Sequence, residues 1–370
     1  RFFWGMKWMK LPYGLADFKS LREQGYLYVD KTDYIEMLES IGGKYLFFIR
    51  PRRFGKTLFL STLEHYYDVN AKDVFDRLFG DLYIGGHPTQ LRNSYLVLKL
   101  NFSAMSTDSK ELLENSFKNR LAQAIDSFMR RYATILPGGL PPFRLDSTVP
   151  DVGSMLMAWM ETVKQSNRKV YLIIDEYDHF ANDIIAMGDG QFYKDIVRSS
   201  GFVRDFYEAV KIGTESIIDR IFITGISPIM LDDMTSGFNI SINLTTDVAV
   251  NEMLGFTEAQ LRSMIRQIGA GVDSGEDQLV EELRESYNGY LFNEAGKARV
   301  YNPDMVLYFF HSWQTSGQYP KQLIDDNVRT DYGKLQRLMS SERNRQQLEE
   351  IIKEERVIAN LVSKFSFDLM

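Results

Sequence analysis

The chain has no cysteine among its 370 residues, which excludes disulfide staples, thiolate-held zinc, iron–sulfur clusters and a thiol nucleophile. Histidine is nearly as scarce, with four residues at 65, 87, 179 and 311 that form neither an HExxH pair nor any other metal-ligand spacing. A metal held by protein ligands alone is therefore not expected. Long apolar runs are missing too: none approaches the roughly 20 residues that a membrane-spanning helix needs. The opening RFFWGMKWMK is too short for a signal peptide, so the expected address is cytoplasmic with no membrane contact. Positive charge is in deficit, with 43 Lys and Arg against 50 Asp and Glu, so overall charge gives no support to a nucleic-acid partner. No fixed-period repeat or low-complexity tract is present.

What is present is an ordinary globular composition, 44% hydrophobic and 25% charged. Its length exceeds what one hydrophobic core usually serves, and two units are expected, residues 1–245 and 246–370. LPYGLADFKSLREQGYLYVDKTDYIEMLES reads as a short polar and aromatic lead-in followed by a helix. The apolar runs KYLFFIR at 44–50, YLVLKLNFS at 95–103, VYLIID at 170–175 and RIFITGIS at 220–227 read as buried strands. Between them lie helical patterns: GKTLFLSTLEHYYD, the stretch from 108 to 133, GSMLMAWMETVKQ, and one helix over about 192–211. Such alternation predicts an α/β fold, a mainly parallel sheet covered by helices on both faces. Beyond 245 the chain reads as mainly helical, with Thr257 placed to cap a helix, Asn288-Gly289 ending one and Pro303 starting another. LPGGLPPF at 136–143 is expected as a surface loop.

Two motifs carry chemistry. RPRRFGKT at 50–57 matches the phosphate-loop pattern GxxxxGK[ST] at Gly55, Lys56 and Thr57, with Arg50 where the first glycine belongs. In such a loop the amides leading into the helix surround phosphates, the lysine reaches the terminal phosphates and the hydroxyl binds magnesium. The expected nucleotide contacts are therefore Arg50, Pro51, Arg52, Arg53, Phe54, Gly55, Lys56, Thr57 and Leu58. Arg50, Arg52, Arg53 and Lys56 crowd four cations into seven residues, and an anion such as phosphate would relieve their repulsion. Pro51 lacks an N–H and pushes Arg50 toward extended geometry, so the loop starts stiffly.

The second motif is VYLIIDEYD, which delivers Asp175 and Glu176 to the C-terminal end of a buried strand, where open α/β sheets bind ligands. This is a Walker B pattern, with Asp175 expected to hold Mg2+ alongside Thr57 and Glu176 expected to orient and deprotonate the attacking water. Asp178 is a supporting candidate. Thr224, at the end of the later strand, is placed to act as a polar sensor of the terminal phosphate. An isolated GKT or strand-end acid pair often means nothing more than a helix start or a solvated loop. The two together, each in its proper context, point to ATP and Mg2+.

YVDKTDYIEML, FIRPRRFGKTLFLSTLEHYY, YLIIDEYDHF, FITGISPIMLDDMTSGFNI, LGFTEAQL, SYNGYLF and VYNPDMVL together resemble the bacterial AAA-ATPase-like domain family, over about residues 10–315. The resemblance implies a P-loop NTPase core and makes arginine at the first glycine position a family feature. It also implies that members often carry a C-terminal PD-(D/E)XK nuclease-like domain. QQLEEIIKEERVIANLV near the end reads as a helix and not as a nuclease core. The resulting expectation is a Mg2+-dependent ATPase that couples ATP or ADP occupancy to a protein partner or a fused nuclease-like domain. A nucleotide-binding scaffold with little hydrolysis is the alternative. A kinase is disfavoured, because Glu176 beside the nucleotide would activate water.

Overall fold

A computed structural model describes residues 9–136, 151–187, 190–197, 201–230, 238–269, 275–287 and 289–320. Residues 137–143 of the expected loop, Asn288, and the run at 346–362 lie outside them.

Five strands, β1 (Tyr45–Ile49), β2 (Leu96–Asn101), β3 (Val170–Asp175), β4 (Ile218–Gly225) and β5 (Ile242–Asn243), form one sheet in the order β2-β3-β4-β1-β5. Every pairing in it is parallel. The first four strands are almost continuously apolar because helices cover both sheet faces. Their side chains alternate between two cores. Phe47, Ile49, Leu98, Leu100, Leu172, Ile174, Ile221 and Ile223 pack toward the helices Lys110–Arg131, Val152–Lys164 and Phe202–Thr214. Leu46, Phe48, Val97, Tyr171, Ile173 and Phe222 pack toward the helix Lys56–Tyr67. This is the period-2 rule of a strand applied to a sheet buried on both sides.

The register aligns the strand ends: Asn101 faces Asp175, and Ile49 faces Gly225. Both chemical motifs therefore reach the same edge of the sheet. In sequence it is β2 that separates the two motif strands, but in the sheet β4 lies between them. β5 was not foreseen, since two residues are too few to show a hydrophobic alternation.

Two helical expectations need correction. The stretch around 18–40 forms two helices, Phe18–Glu23 and Asp33–Ser40, the first capped by Asp17, whose carboxylate accepts from the Ser20 amide at 2.6 Å. The expected helix over 192–211 is also two, Gly190–Val197 and Phe202–Thr214. Gly201 stands before the second, where a Cβ would lie 2.1 Å from the Ile196 carbonyl oxygen, so the chain can turn that tightly only at glycine.

After β5 the described chain is mainly helical, with helices Glu258–Ile268, Glu276–Tyr287 and Pro303–Ser316. Thr257 and Gln260 make a reciprocal capping box, and Pro303 occupies the first turn of its helix. An unforeseen antiparallel pair, β6 (Phe256–Thr257) with β7 (Val300–Tyr301), ties this region together. Its helices build a third core around Leu261, Ile265, Leu283, Val306 and Phe310, against which Leu11, Leu27 and Val29 of the N-terminal segment pack.

Close packing at the sheet edge gives a direct test. A Cβ at Gly225 would sit 2.3 Å from Asp178 Oδ1 and 2.5 Å from the Tyr177 ring. Gly225→Ala is expected to lower the free energy of unfolding by about 1–3 kcal/mol. An unchanged urea midpoint would contradict this packing.

Candidate functional site

The phosphate-loop segment leaves β1 and turns through two left-handed residues, Arg53 at φ 62° and Gly55 at φ 89°. Nothing lies within 4 Å of a Cβ at Gly55, so glycine is needed there for its conformation and not for space. Gly55 caps the helix Lys56–Tyr67, whose first backbone bond runs from the Phe59 amide to the Gly55 carbonyl at 3.0 Å. The amides of Lys56, Thr57 and Leu58 are thus free to face an anion at the positive end of the helix. The Lys56 ammonium is buried and folds across the loop, donating to the carbonyls of Arg50 at 2.9 Å and Pro51 at 2.8 Å. Burial pulls its pKa down to about 8, opposed by Asp175, Asp178 and Glu176.

Asp175 is fully buried at the end of β3. Its Oδ2 accepts from Thr57 Oγ1 at 2.8 Å and from Asn101 Nδ2 at 3.4 Å, and its Oδ1 accepts from the Glu176 amide at 3.0 Å. Burial raises its carboxyl pKa, with the Thr57 hydroxyl and the Lys56 charge pulling the other way. Glu176 sits in the left-handed region at φ 51°, which swings its half-exposed carboxylate into the cavity beside Lys56 and Thr57. Burial and the Asp175 charge raise its pKa, while His179, whose Nδ1 lies 3.3 Å from the Glu176 carboxylate, opposes them.

Asp178 points elsewhere. Its buried carboxylate accepts from the amides of Ile226 and Ser227, from the Ser227 hydroxyl at 2.7 Å and from Asn182 at 2.8 Å. It therefore pins the end of β3 to the end of β4, and supports the site through the backbone.

A cavity of about 510 Å³ opens over the loop, with Arg52, Arg53, Phe54, Gly55, Lys56, Thr57, Leu58 and Glu176 in its wall. Two expectations are corrected here. Arg50 does not present its charge to the cavity: its guanidinium is buried and donates to the carbonyls of Ile49, Thr245 and Val250 at 2.8–3.1 Å. It is sandwiched by the rings of Phe48 and Phe292, 4.1 and 3.9 Å from their centroids. Carbonyl dipoles and aromatic faces stand in for an anion, and burial still lowers its pKa to about 9. The crowding of cations is thus relieved in part without phosphate. Thr224 is likewise turned away, its buried hydroxyl donating to the Phe48 carbonyl at 2.6 Å between adjacent strands.

The remaining loop side chains meet the region after 245. Arg53 lies 3.7 Å from Asp304, the Arg52 carbonyl accepts from Asn302 at 3.2 Å, and the buried Phe54 ring meets Tyr290 and Phe292 edge-on. Residues outside both motifs complete the cavity wall: Leu15, Leu27, Val29 and Lys31 from the N-terminal segment, and Leu254 and Leu307 from the C-terminal region. The signal for four of them in the sequence was the family resemblance alone: Val29 and Lys31 fall in YVDKTDYIEML, Leu254 opens LGFTEAQL and Leu307 ends VYNPDMVL.

A family model described as "Predicted AAA-ATPase" matches residues 12–235. The chain belongs to the AAA-ATPase-like family. A curated relative, an uncharacterized protein in the vnfD 5′ region of Azotobacter chroococcum mcd 1, is 26% identical over 311 residues, covering 81% of this chain and 52% of the relative. The chain thus spans about half that relative's length. Among solved structures, similarity extends to the Walker-type ATPase paby2304 of Pyrococcus abyssi, at 12% identity and a TM-score of 0.43, covering 95% of this chain and 77% of that one. It extends also to the Aeropyrum pernix Orc1 protein in complex with DNA, at 9% identity and a TM-score of 0.38, covering 88% and 69%. As a member of the AAA-ATPase-like family the chain is a P-loop ATPase by fold, with its phosphate-loop segment and acidic strand end on one sheet edge. Among the described residues no helix is long and apolar enough to cross a membrane.

The placement of Arg50 predicts a stability effect. Arg50→Leu leaves the Thr245 and Val250 carbonyls without their donor and is expected to lower stability by about 2–3 kcal/mol or more. A variant that melts with the wild type would show that the guanidinium is not the strut described.

Proposed function

We propose that the chain binds ATP with Mg2+ over residues 51–58 and hydrolyses it. The observation that carries this reading is the 2.8 Å hydrogen bond to buried Asp175 from Thr57, which lines a cavity together with Lys56 and Glu176. A hydroxyl and a buried carboxylate in contact are hard oxygen donors of the kind magnesium takes when it keeps several waters and substrate phosphates as its other ligands. Thr57 and Asp175 fit that ion as its protein-side partners. Bound there, it would neutralise charge on the β- and γ-phosphates.

The free amides at the start of the helix Lys56–Tyr67 would receive phosphate oxygens. Lys56 would exchange its two carbonyl acceptors for phosphate, which restores to the buried ammonium the counter-charge it lacks. Glu176, turned into the cavity and not used in any backbone tie, would accept the proton of the attacking water. His179 would hold that carboxylate from the side. With Lys56 gone from the Arg50 and Pro51 carbonyls, the start of the loop is released, and Arg50 would carry that change to residues 245–250.

On this reading the chain divides near 245/246, and the C-terminal unit relays nucleotide state to a protein partner or an attached nuclease-like domain. The separate core around Leu261, Leu283 and Phe310 supports the division.

Lys56→Ala is expected to abolish measurable ATP binding in calorimetry, whereas Glu176→Gln should bind ATP with near wild-type affinity and lose turnover by about 100-fold or more. Phosphate release that survives both substitutions would rule out these roles. Chelating Mg2+ with EDTA should stop turnover and weaken ATP more than ADP, since the γ-phosphate charge then goes unneutralised; turnover unaffected by EDTA would refute the metal assignment.

A further inference from the structure

Lys31 is part of the cavity wall but is not part of the phosphate loop. Its electrostatic neighbours are Asp33, Glu252 and Asp30, whereas those of Lys56 are Asp175, Asp178 and Glu176. Apolar residues Leu27, Val29, Met253, Leu254 and Leu307 share the cavity wall with it. Lys31 is 9% exposed, and burial lowers its pKa to about 8.

An ammonium has three N–H donors and no acceptor. Lys31 uses one of them, on the Glu252 carbonyl at 2.8 Å. Among the described residues no carboxylate lies within ion-pair distance of it. A tether between the N-terminal segment and residue 252 accounts for that single bond, and a neutral amide would make it at a lower desolvation cost. The two remaining donors have no hydrogen-bond partner among the described residues, and in the wall of a cavity of nucleotide size they would be satisfied by a ligand that brings acceptors.

We infer that Lys31 is the nucleoside contact of the site, its ammonium donating a hydrogen bond to an acceptor on the base or ribose of an adenine nucleotide whose phosphates lie on the loop. This rests on the ATP-binding reading and extends it, because it gives the nucleoside a partner outside the phosphate loop. The bound nucleotide then touches three stretches of chain at once: the loop, the N-terminal segment at 27–31, and residues 253–256. Since Lys31 already holds the Glu252 carbonyl, a nucleoside seated on it also bears on the C-terminal region.

The test is calorimetry of the whole chain with ADP, with 2′-deoxy-ADP and with inorganic tripolyphosphate, which carries the phosphates alone. Lys31→Met is expected to weaken ADP by about tenfold or more while tripolyphosphate changes by less than about twofold. In turnover the loss of kcat/KM should fall on the KM for ATP. Lys31→Gln, which keeps a donor and the bond to Glu252, should recover part of the ADP affinity, and it carries the test if the methionine variant fails to fold. If 2′-deoxy-ADP binds the wild type as weakly as ADP binds Lys31→Met, the acceptor is the ribose 2′-hydroxyl; if it binds like ADP, the acceptor lies elsewhere on the nucleoside. Unchanged ADP affinity in Lys31→Met overturns the inference, and so does an equal loss for ADP and tripolyphosphate, which marks a structural tether. Failure of the wild type to bind either ADP or tripolyphosphate is a different result and overturns the ATP reading itself.

Discussion

The chemistry available to this protein depends on one hydrogen bond, from the Thr57 hydroxyl to the Asp175 carboxylate, made between residues 118 positions apart. It forms because parallel strands end in register and β4 spaces β1 from β3, so the first turn of the helix after β1 arrives over the end of β3. Around that bond the same edge brings together the Lys56 ammonium, the strained Glu176 backbone and the Asn101 amide. Asp178, one turn further on, fixes the height of the two strand ends by holding the Ile226 and Ser227 amides. The Asn101 amide and the Glu176 N–H hold the acid from its other sides.

The loop itself serves two neighbours. Its glycine and its lysine line the cavity. Its first residue does not: Arg50 takes the position where flexibility would be usual and turns it into a strut, with three carbonyls and two aromatic rings compensating a buried charge. A guanidinium suits this because it is planar, forks its donors and is more weakly hydrated than an ammonium. Lys56 holds the carbonyl of the same residue, so loop occupancy and the strut share one peptide. The contacts of Arg52, Arg53 and Phe54 with Asn302, Asp304, Tyr290 and Phe292 add to the same attachment. The cavity is accordingly composite, with walls from the beginning, middle and end of the described chain.

The sequence by itself determined what local periodicity and local chemistry can encode. Four apolar runs became β1 to β4 within about two residues of their expected ends, because a strand buried on both faces must be apolar along its whole length. Gly55, Lys56 and Thr57 at a helix start, the acid pair at a strand end, the Thr257 cap and Pro303 in a first turn are all short-range patterns with a backbone reason. Short β5, β6 and β7 were beyond reach, since two residues carry no period; the break in the 18–40 stretch falls at Gly25, which takes a left-handed φ of 69°, and the break in 192–211 depended on a close backbone contact at Gly201.

Only the tertiary structure decided where charges and hydroxyls point. Arg50 and Lys56 read alike in sequence, as cations of one loop, yet one is claimed by carbonyls about 200 positions away and the other by the loop itself. Thr224 ends its strand as expected, but its hydroxyl is taken by the neighbouring strand's carbonyl. Lys31 joins the cavity wall because Leu27 and Val29 pack on the C-terminal core, bringing the N-terminal segment to the same cavity as the loop. Burial leaves polar groups few acceptors, and which acceptor is near is a property of the assembled fold, not of the residue's sequence neighbours.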